Sequence, residues 1–367
     1  MGMIKWIFSR KFLSFWTITL LVLFSYTLTS KALTQFYINQ IARFRSAGVG
    51  YDICVDGNFV YITGNEGYVV GDIQNPSKPK KICEFKIDDG AFGIFVREDI
   101  AFVAAQSQGL FITNISNPTN PTQLGHINVD GICNNVFVFN NLAYVSNYEN
   151  GLHIFNIADS NNPIKIGEYS SDGRADGVVA TTNFAYLANP NSGVNVLNTT
   201  LPSSPQKIIT LSGTGGATGI SIYENLLFIG CYSSKVMVFD ISTPESPTLL
   251  GSYYDNDGGE AQGVVGNSSH LFVADNFGVE FFDISNLPTI TKVAENRKGI
   301  SASHDIDFDD NFLYVAGGNI LGSLFFEIST SPKSSKLGLY IGIPVAVLVV
   351  SISFWLAYKF IIRKKKP

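Results

Sequence analysis

Charge is the first thing this chain is short of. Only 15% of its 367 residues are charged, against about 25% in an ordinary soluble domain. Methionine occurs 3 times, which leaves little of the helix-forming, coiled-coil kind of composition. A 46% share of hydrophobic residues excludes a disordered chain. What is abundant, with 34 Gly, 28 Phe and 16 Tyr, suits a β-rich globule with many turns. Acids are missing from both tails, and the tails hold nine of the 25 basic residues: Lys5, Arg10, Lys11, Lys31, Lys359, Arg363, Lys364, Lys365 and Lys366. Residues 32–336 therefore carry 16 basic groups against 30 acidic ones, a net −14. A middle that acidic excludes nucleic acid as a partner, because phosphate contacts need clustered Lys and Arg.

Motifs of common chemistry are also missing. The chain has no Gly-x-Ser-x-Gly, no phosphate-binding glycine loop and no His-Glu-x-x-His. Its four cysteines, Cys54, Cys83, Cys133 and Cys231, form no Cys-x-x-Cys and no metal-ligand spacing. They fall on different strands of the repeat described below, which makes them buried free thiols.

Two long apolar runs give the chain its expected address. Leu337–Tyr358 is 22 residues without a charge. At 1.5 Å per residue it reaches roughly 33 Å, enough for a hydrocarbon core of about 30 Å. Tyr340, Trp355 and Tyr358 mark its ends, and the cluster Arg363–Lys366 follows on what would be the cytoplasmic side. Near the start, Lys5, Arg10 and Lys11 precede the uncharged run Phe12–Ser30. That is the pattern of a signal peptide, or of an uncleaved anchor. The expected organisation is residues 1–32 as signal or anchor and 33–330 as an exported domain. A stalk at 331–336, a transmembrane helix at 337–358 and a cytoplasmic tail at 359–367 complete it. Both flanks predict a cell-membrane protein, single-pass or two-pass, with the domain on the extracytoplasmic side.

The domain itself is repetitive. An aromatic recurs at Tyr61, Phe102, Tyr144, Tyr186, Phe228, Phe272 and Tyr314, at spacings of 41, 42, 42, 42, 44 and 42. A second strand ends at Asp72, Asn114, Asn156, Asn198, Asp240, Asp283 and Glu327, followed by a Pro-bearing turn such as Asn75-Pro-Ser-Lys-Pro79. Four short strands per 40–45 residues, apolar on both faces, predict an all-β, seven-bladed β-propeller. The seventh copy stops after three strands, at Ile328, while an orphan strand, Gln40–Arg45, opens the domain. Pairing the two would close the ring and remove two free edges.

These residues resemble the LVIVD-repeat family of β-propellers. The strand Lys235-Val-Met-Val-Phe-Asp-Ile-Ser242, its counterparts at 278–285 and 151–158, and the Asn-Pro-x-x-Pro turn carry the likeness over residues 40–330. Asn198-Thr-Thr, Gly71 and the short turn Asn286-Leu-Pro288 depart from it. The resemblance implies an architecture and a surface or secreted setting, and no uniform chemistry.

Residues present in every blade are structural, so function belongs where the repeats differ. The Asp/Asn column supplies acceptors for the following turns. One variable position starts each innermost strand: Tyr51, Phe92, Asn134, Asp176, Thr218, Gln262 and His304. Each follows a small residue, from Gly50 and Ala91 to Ser303, as crowding around an axis requires. These seven are the predicted ligand-binding ring at the channel mouth. Acidic loops on the same face bring Asp88, Asp89, Asp130, Asp172 and Glu66 nearby. His304 with Asp305 or Asp176 is a weak candidate for a base and its orienting partner. Asp255, Asp257 and Glu260, in a loop two residues longer than its peers, are weak candidates for calcium (Ca2+). Of three Asn-x-Ser/Thr sequons, Asn267 is the one in an open turn. The expected function is a membrane-anchored binding module for an extracellular protein, glycan or small ligand. The alternative is a metal-assisted propeller hydrolase or lyase with its site at the channel mouth.

Overall fold

The computed structural model describes residues 36–44, 48–233, 235–255, 258–297, 303–309, 311–317 and 322–330. Both apolar terminal runs, with the expected anchor segments, lie outside the described residues. Among those described, the regular structure is entirely β, and no helix is long and apolar enough to cross a membrane.

The described residues form twenty-eight strands, numbered β1–β28 in chain order, in seven four-stranded antiparallel sheets. Blade 1 runs from the axis outward as β2 (Gly50–Asp56), β3 (Phe59–Gly64), β4 (Gly67–Asp72) and β5 (Lys80–Lys86). The two-residue turns between β2-type and β3-type strands begin in the left-handed region, at Gly57 (φ 54°), Asn140 (φ 53°) and Glu224 (φ 52°). Such turns match the right-handed twist of the strands they join. Each Asp/Asn of the repeat column accepts the backbone N–H two residues on. The distances are 2.9 Å for Asp72 to Gln74, Asn114 to Ser116, and Asn156 to Ala158. That column is therefore turn chemistry, as its repetition required.

The core is not one cluster but seven, each wedged between two neighbouring blades. Phe102 and Leu110 of blade 2 pack with Val136 and Phe155 of blade 3. Tyr186 and Val196 of blade 4 pack with Leu227 and Met237 of blade 5. The repeated aromatics, from Tyr61 to Tyr314, are each no more than 2% exposed. One such wedge joins Tyr314 and Phe325 of blade 7 to Ile53 and Val60 of blade 1, so the ring is closed.

Blade 7 is built from both ends of the domain: β26 (Ser303–Asp309), β27 (Phe312–Gly317), β28 (Ser323–Ser329) and, outermost, β1 (Tyr37–Phe44). The closing strand starts three residues earlier than Gln40, because Ile38 supplies a second buried anchor beside Phe44. Its register slips between Gln40 and Ala42, leaving Ile41 half-buried. Phe44 stacks on Phe325 at 5.8 Å and fills the space above Gly71, where a Cβ would meet its ring at 2.8 Å.

The four cysteines are free thiols, two buried and two half-buried. Cys83 donates to the carbonyl of Pro118 at 3.1 Å.

Candidate binding site at the channel mouth

The innermost strands share an irregularity that places the variable residues. In blade 3, Cys133 opposes Asn147 and Asn135 opposes Ser146, so Asn134 has no partner across the ladder. The same slip sets Thr218, Gln262 and His304 outside the pairing of their strands. In blade 1 it falls between Gly50 and Ile53, at Tyr51. Phe92 and Asp176 stand just ahead of their strands, donating their N–H groups to Ala104 and Ala188 carbonyls at 2.9 Å each. A β-bulge turns a side chain out of the sheet's alternation. Here it occurs at one end of the inner strands, and the bulged residue is the one that differs between blades.

All seven variable side chains line a single cavity of about 290 Å³. With them are Asp52, Asn135, Tyr148, Ile220, Tyr232 and Asp305. One side of the rim is aromatic. His304 and Tyr51 have ring centres 5.7 Å apart, Tyr51 and Phe92 meet edge to face at 4.8 Å, and Phe92 and Tyr148 lie 6.2 Å apart. The opposite side is polar. Gln262 Nε2 donates to Asn276 Oδ1 at 2.9 Å and its Oε1 accepts the His304 Nδ1–H at 2.8 Å, while Thr218 donates to the Ala261 carbonyl at 3.1 Å.

Beside the rim, Arg174 is held by three groups at once. Its guanidinium forms a two-point pair with Asp176, stands 4.6 Å above the Tyr148 ring and donates to the Tyr232 hydroxyl at 3.0 Å. Burial still raises the Asp176 carboxyl from its usual value, with Arg174 opposing that rise. Burial likewise pushes the Tyr148 hydroxyl up to about 12.

The residue after each bulge forms a second column: Asp52, Gly93, Asn135, Gly177, Gly219, Gly263 and Asp305. The glycines stand where backbone approaches backbone. A Cβ on Gly219 would lie 2.3 Å from the Gln262 carbonyl, and one on Gly263 would lie 2.6 Å from Asp305 Cα. The other three reach across to the next blade. Asp52 accepts the Ile94 N–H at 2.7 Å, Asn135 accepts Val178 N–H at 3.4 Å, and Asp305 accepts Ile53 N–H at 3.4 Å. Asp52 and Asp305 also bond to each other. Burial raises the carboxyl of Asp52, with its bonds to Asp305, Ile94 and Ile53 opposing the rise, and burial with the Asp52 charge raises that of Asp305 well above the ordinary range. Farther along β26, burial pushes Asp307 up to about 6 while it accepts the Val55 N–H at 2.7 Å.

The residues proposed for acid–base chemistry are not joined as that chemistry requires. His304 bonds Gln262, Asp176 bonds Arg174 and Asp305 bonds Asp52. Burial lowers the His304 imidazole, which favours its neutral form. Of the calcium candidates, Asp255 is ion-paired with Lys292, which also holds Glu280 and Glu295 at 2.9 Å each. Glu260 sits 3.3 Å from Gln262 Nε2, and Asp257 lies outside the described residues. Among the described residues no cluster of three metal-ligating side chains occurs. Several rim acids serve the loops: Glu149 accepts the Ile132 N–H at 2.8 Å and Asp89 the Ser107 hydroxyl at 2.6 Å. Asn267 accepts two backbone N–H groups, from Ser269 and His270, at 2.9 Å each.

Sequence reasoning did not single out Asp52, Asn135, Arg174 or Tyr232. A signal for the first two was present, since three polar residues interrupt a column otherwise made of glycine. Tyr232 holds in blade 5 the place that Tyr148 holds in blade 3, each donating its N–H across to the neighbouring loop, to Gly216 and Ile132 carbonyls at 2.9 Å, so the repeat carried a signal for it as well, whereas Arg174 stands in a loop whose sequence varies from blade to blade.

Comparison with known proteins agrees with this architecture. The LVIVD repeat model matches residues 47–85, 90–129, 130–171 and 214–255. No curated protein shows significant similarity to the chain. Among solved structures, the β-propeller domain of Myceliophteria thermophila Cps50 (Swd1) is 11% identical, with a TM-score of 0.66 over 80% of this chain and 100% of that one. The WD40 β-propeller domain of Doa1 is 9% identical, with a TM-score of 0.62 over 81% of this chain and 97% of that one. The computationally designed Ika8 protein is 11% identical, with a TM-score of 0.57 over 79% and 99%. At these identities the likeness is one of fold.

Proposed function

We propose that this seven-bladed β-propeller, whose chain carries LVIVD repeats, is a binding module that takes its ligand into the mouth of the central channel. The observation that carries this reading is the cavity of about 290 Å³ lined by all seven residues at which the blades differ. Ligand pockets are concave, partly aromatic and furnished with a few converging polar groups. This mouth has an aromatic wall facing amides and hydroxyls, and its site residues are Tyr51, Phe92, Asn134, Asp176, Thr218, Gln262 and His304. For the metal-assisted hydrolase or lyase reading no specific observation speaks, since among the described residues His304 bonds the Gln262 amide.

The same reading places the propeller outside a cell membrane. It is held by Leu337–Tyr358, and by the N-terminal run as well where that run is retained. The support is the pair of uncharged stretches with basic flanks and the net −14 of the segment between them. Partners on that side include an extracellular protein, a glycan or a small ligand.

Two experiments test the two halves. Full-length protein in detergent is screened against small ligands and glycans by thermal shift and equilibrium binding, alongside Phe92→Ala and Gln262→Ala. Saturable binding that both substitutions weaken, with the variants' own melting unchanged, is expected. A ligand bound equally by parent and both variants would place recognition elsewhere. For location, protease added to intact cells should remove the domain and leave a membrane-bound stub. Protection until lysis would refute the exported placement.

A further inference from the structure

We infer that the ligand of this cavity is an organic cation, an alkylammonium or guanidinium group seated between the aromatic wall and the carboxyl pair Asp52–Asp305. The inference rests on the mouth being the binding site and names what it recognises. Three carboxyl groups line the cavity, and among the described residues no Lys or Arg does. Asp176 is already neutralised by Arg174, so the charge left to offer belongs to Asp52 and Asp305. That pair adjoins the Tyr51–Phe92 edge-to-face contact through Tyr51, the neighbour of Asp52.

A structural role accounts for the pair only in part: the two oxygens of Asp52 accept the Ile53 and Ile94 N–H groups at 2.7 Å each, and Asp305 adds a longer bond to Ile53 N–H at 3.4 Å. The link from an inner strand to its neighbour needs only an acceptor, and between blades 3 and 4 the neutral amide of Asn135 supplies it. Four other blades make do with glycine at this position. Two carboxyls in contact cost more than two amides would, because burial and mutual repulsion both disfavour their charge. Acceptor roles leave the second acid, Asp305, beside the first without an offsetting charge, and a cation seated between them would supply it.

The protein also contains an example of the chemistry. Arg174 is bound on the far side of the same aromatic wall by a ring face, a carboxylate and a phenol hydroxyl: Tyr148, Asp176 and Tyr232. Cations are drawn to ring faces by the quadrupole, more strongly where water is excluded. Tyr51, Phe92 and the Asp52–Asp305 pair offer the same elements, with the cavity in place of a tethered side chain.

Charge balance adds a signature. Burial and mutual repulsion favour the protonated form of the empty pair, and a bound cation favours both carboxylates ionised, so binding should release a proton to solvent. Asp307 and the Cys54 thiol, close enough to interact with the pair, Asp176 across the cavity and the neutral His304 beside it complete the titratable surroundings. Affinity should then rise with pH as the pair loses its proton.

Isothermal calorimetry on the full-length protein in detergent tests this. The probes are choline, agmatine and a blocked lysine tripeptide, with dimethylbutanol, the neutral carbon isostere of choline, as comparator. The cations should bind at least about ten-fold more tightly than the neutral isostere. Their apparent enthalpy should differ between phosphate and Tris buffers in the proportion that proton release requires. Agmatine or choline binding more tightly than the tripeptide points to a small free organic cation, and the reverse order points to a basic side chain of a peptide. Asp305→Asn should abolish the buffer dependence and weaken the cations about ten-fold or more. Should that variant not fold, Phe92→Leu, which keeps apolar volume without a ring face, should weaken choline and spare dimethylbutanol. Equal binding of choline and its isostere, or no saturable cation binding, overturns the inference. In that event a neutral ligand that Phe92→Ala and Gln262→Ala weaken would leave the binding-module reading standing, and its absence would sink both.

Discussion

Removing the closing strand should cost this ring more than any comparable excision. Strand β1 covers the edge of blade 7 and adds Ile38 to the wedge between blades 6 and 7. It adds Phe44 to the wedge between blades 7 and 1. A single substitution isolates one of these terms. Phe44 is 2% exposed, stacks on Phe325 and roofs Gly71, so Phe44→Ala leaves a cavity with rigid walls. Truncation of a buried Phe costs about 3–5 kcal/mol. For a large domain each kcal/mol lowers Tm by roughly 2–4 °C, which gives a drop of roughly 6–20 °C, nearer the lower end for a ring of this size. Gln40→Ala, on the exposed side of the same strand, should stay within about 0.5 kcal/mol. A chain beginning at Gly48 loses both anchors and bares the β28 edge with Phe325 and Phe326, and it should aggregate. Calorimetric melting and size-exclusion chromatography read all three. A Gly48 chain that melts like the parent, or a Phe44→Ala melt matching that of Gln40→Ala, would mean the ring does not depend on its seam.

Three further outcomes follow from buried groups elsewhere. His153 is 2% exposed with neither ring nitrogen hydrogen-bonded, and burial lowers it to about 4, with Lys165 adding to that effect and Glu168 and Asp130 opposing it. Its folded value lies below the unfolded one, so its contribution is full above about pH 6.5 and is lost as pH falls toward 4, up to about 3 kcal/mol; His153→Leu should shrink the gap between Tm at pH 7 and pH 5, and an unchanged gap refutes this. Lys292→Met removes the cation of Asp255 and the nearer of two cations at the buried Glu280, which burial already pushes up to about 7 and which keeps Arg297 at 3.5 Å, and should cost up to about 3–5 kcal/mol at neutral pH; recovery of most of that loss near pH 5, as Glu280 takes a proton, is expected in urea titrations, and a loss independent of pH would contradict it. Gly219→Ala drives a Cβ to 2.3 Å from the Gln262 carbonyl and should cost about 1–3 kcal/mol or more while weakening binding at the mouth; a neutral effect on melting would mean the inner strands can part freely.

Much of this was readable from spacing. Seven aromatics at a period near 42 fix strand number, blade number and the split last blade, because a strand apolar on both faces must be covered on both. The variable position was legible for the same reason: against six other copies, a residue that refuses to repeat stands out. Three things were not legible. The start of β1 at Tyr37 depends on a bulge at Ile41, and a bulge breaks the two-residue period that sequence reading relies on. The partners of His304, Asp176 and Asp305 depend on which neighbour across the axis is closest, and chain spacing does not encode that. Arg174 reaches Tyr148 and Tyr232 from two other loops, so only the fold could bring them together.

The seam of blade 7 has a mechanical consequence. Tyr37 lies directly opposite Ser329, so the chain enters and leaves the ring at adjacent points of one outer edge. Paired residues in antiparallel strands lie about 4.5–5.5 Å apart. A pull that separates the two tails would therefore load the β1–β28 hydrogen bonds one at a time from that end, as in opening a zipper, rather than shearing them together. Such a seam yields at low force. Two tails fastened close together, however, need no separation of their exits, and the seam then carries almost no tension.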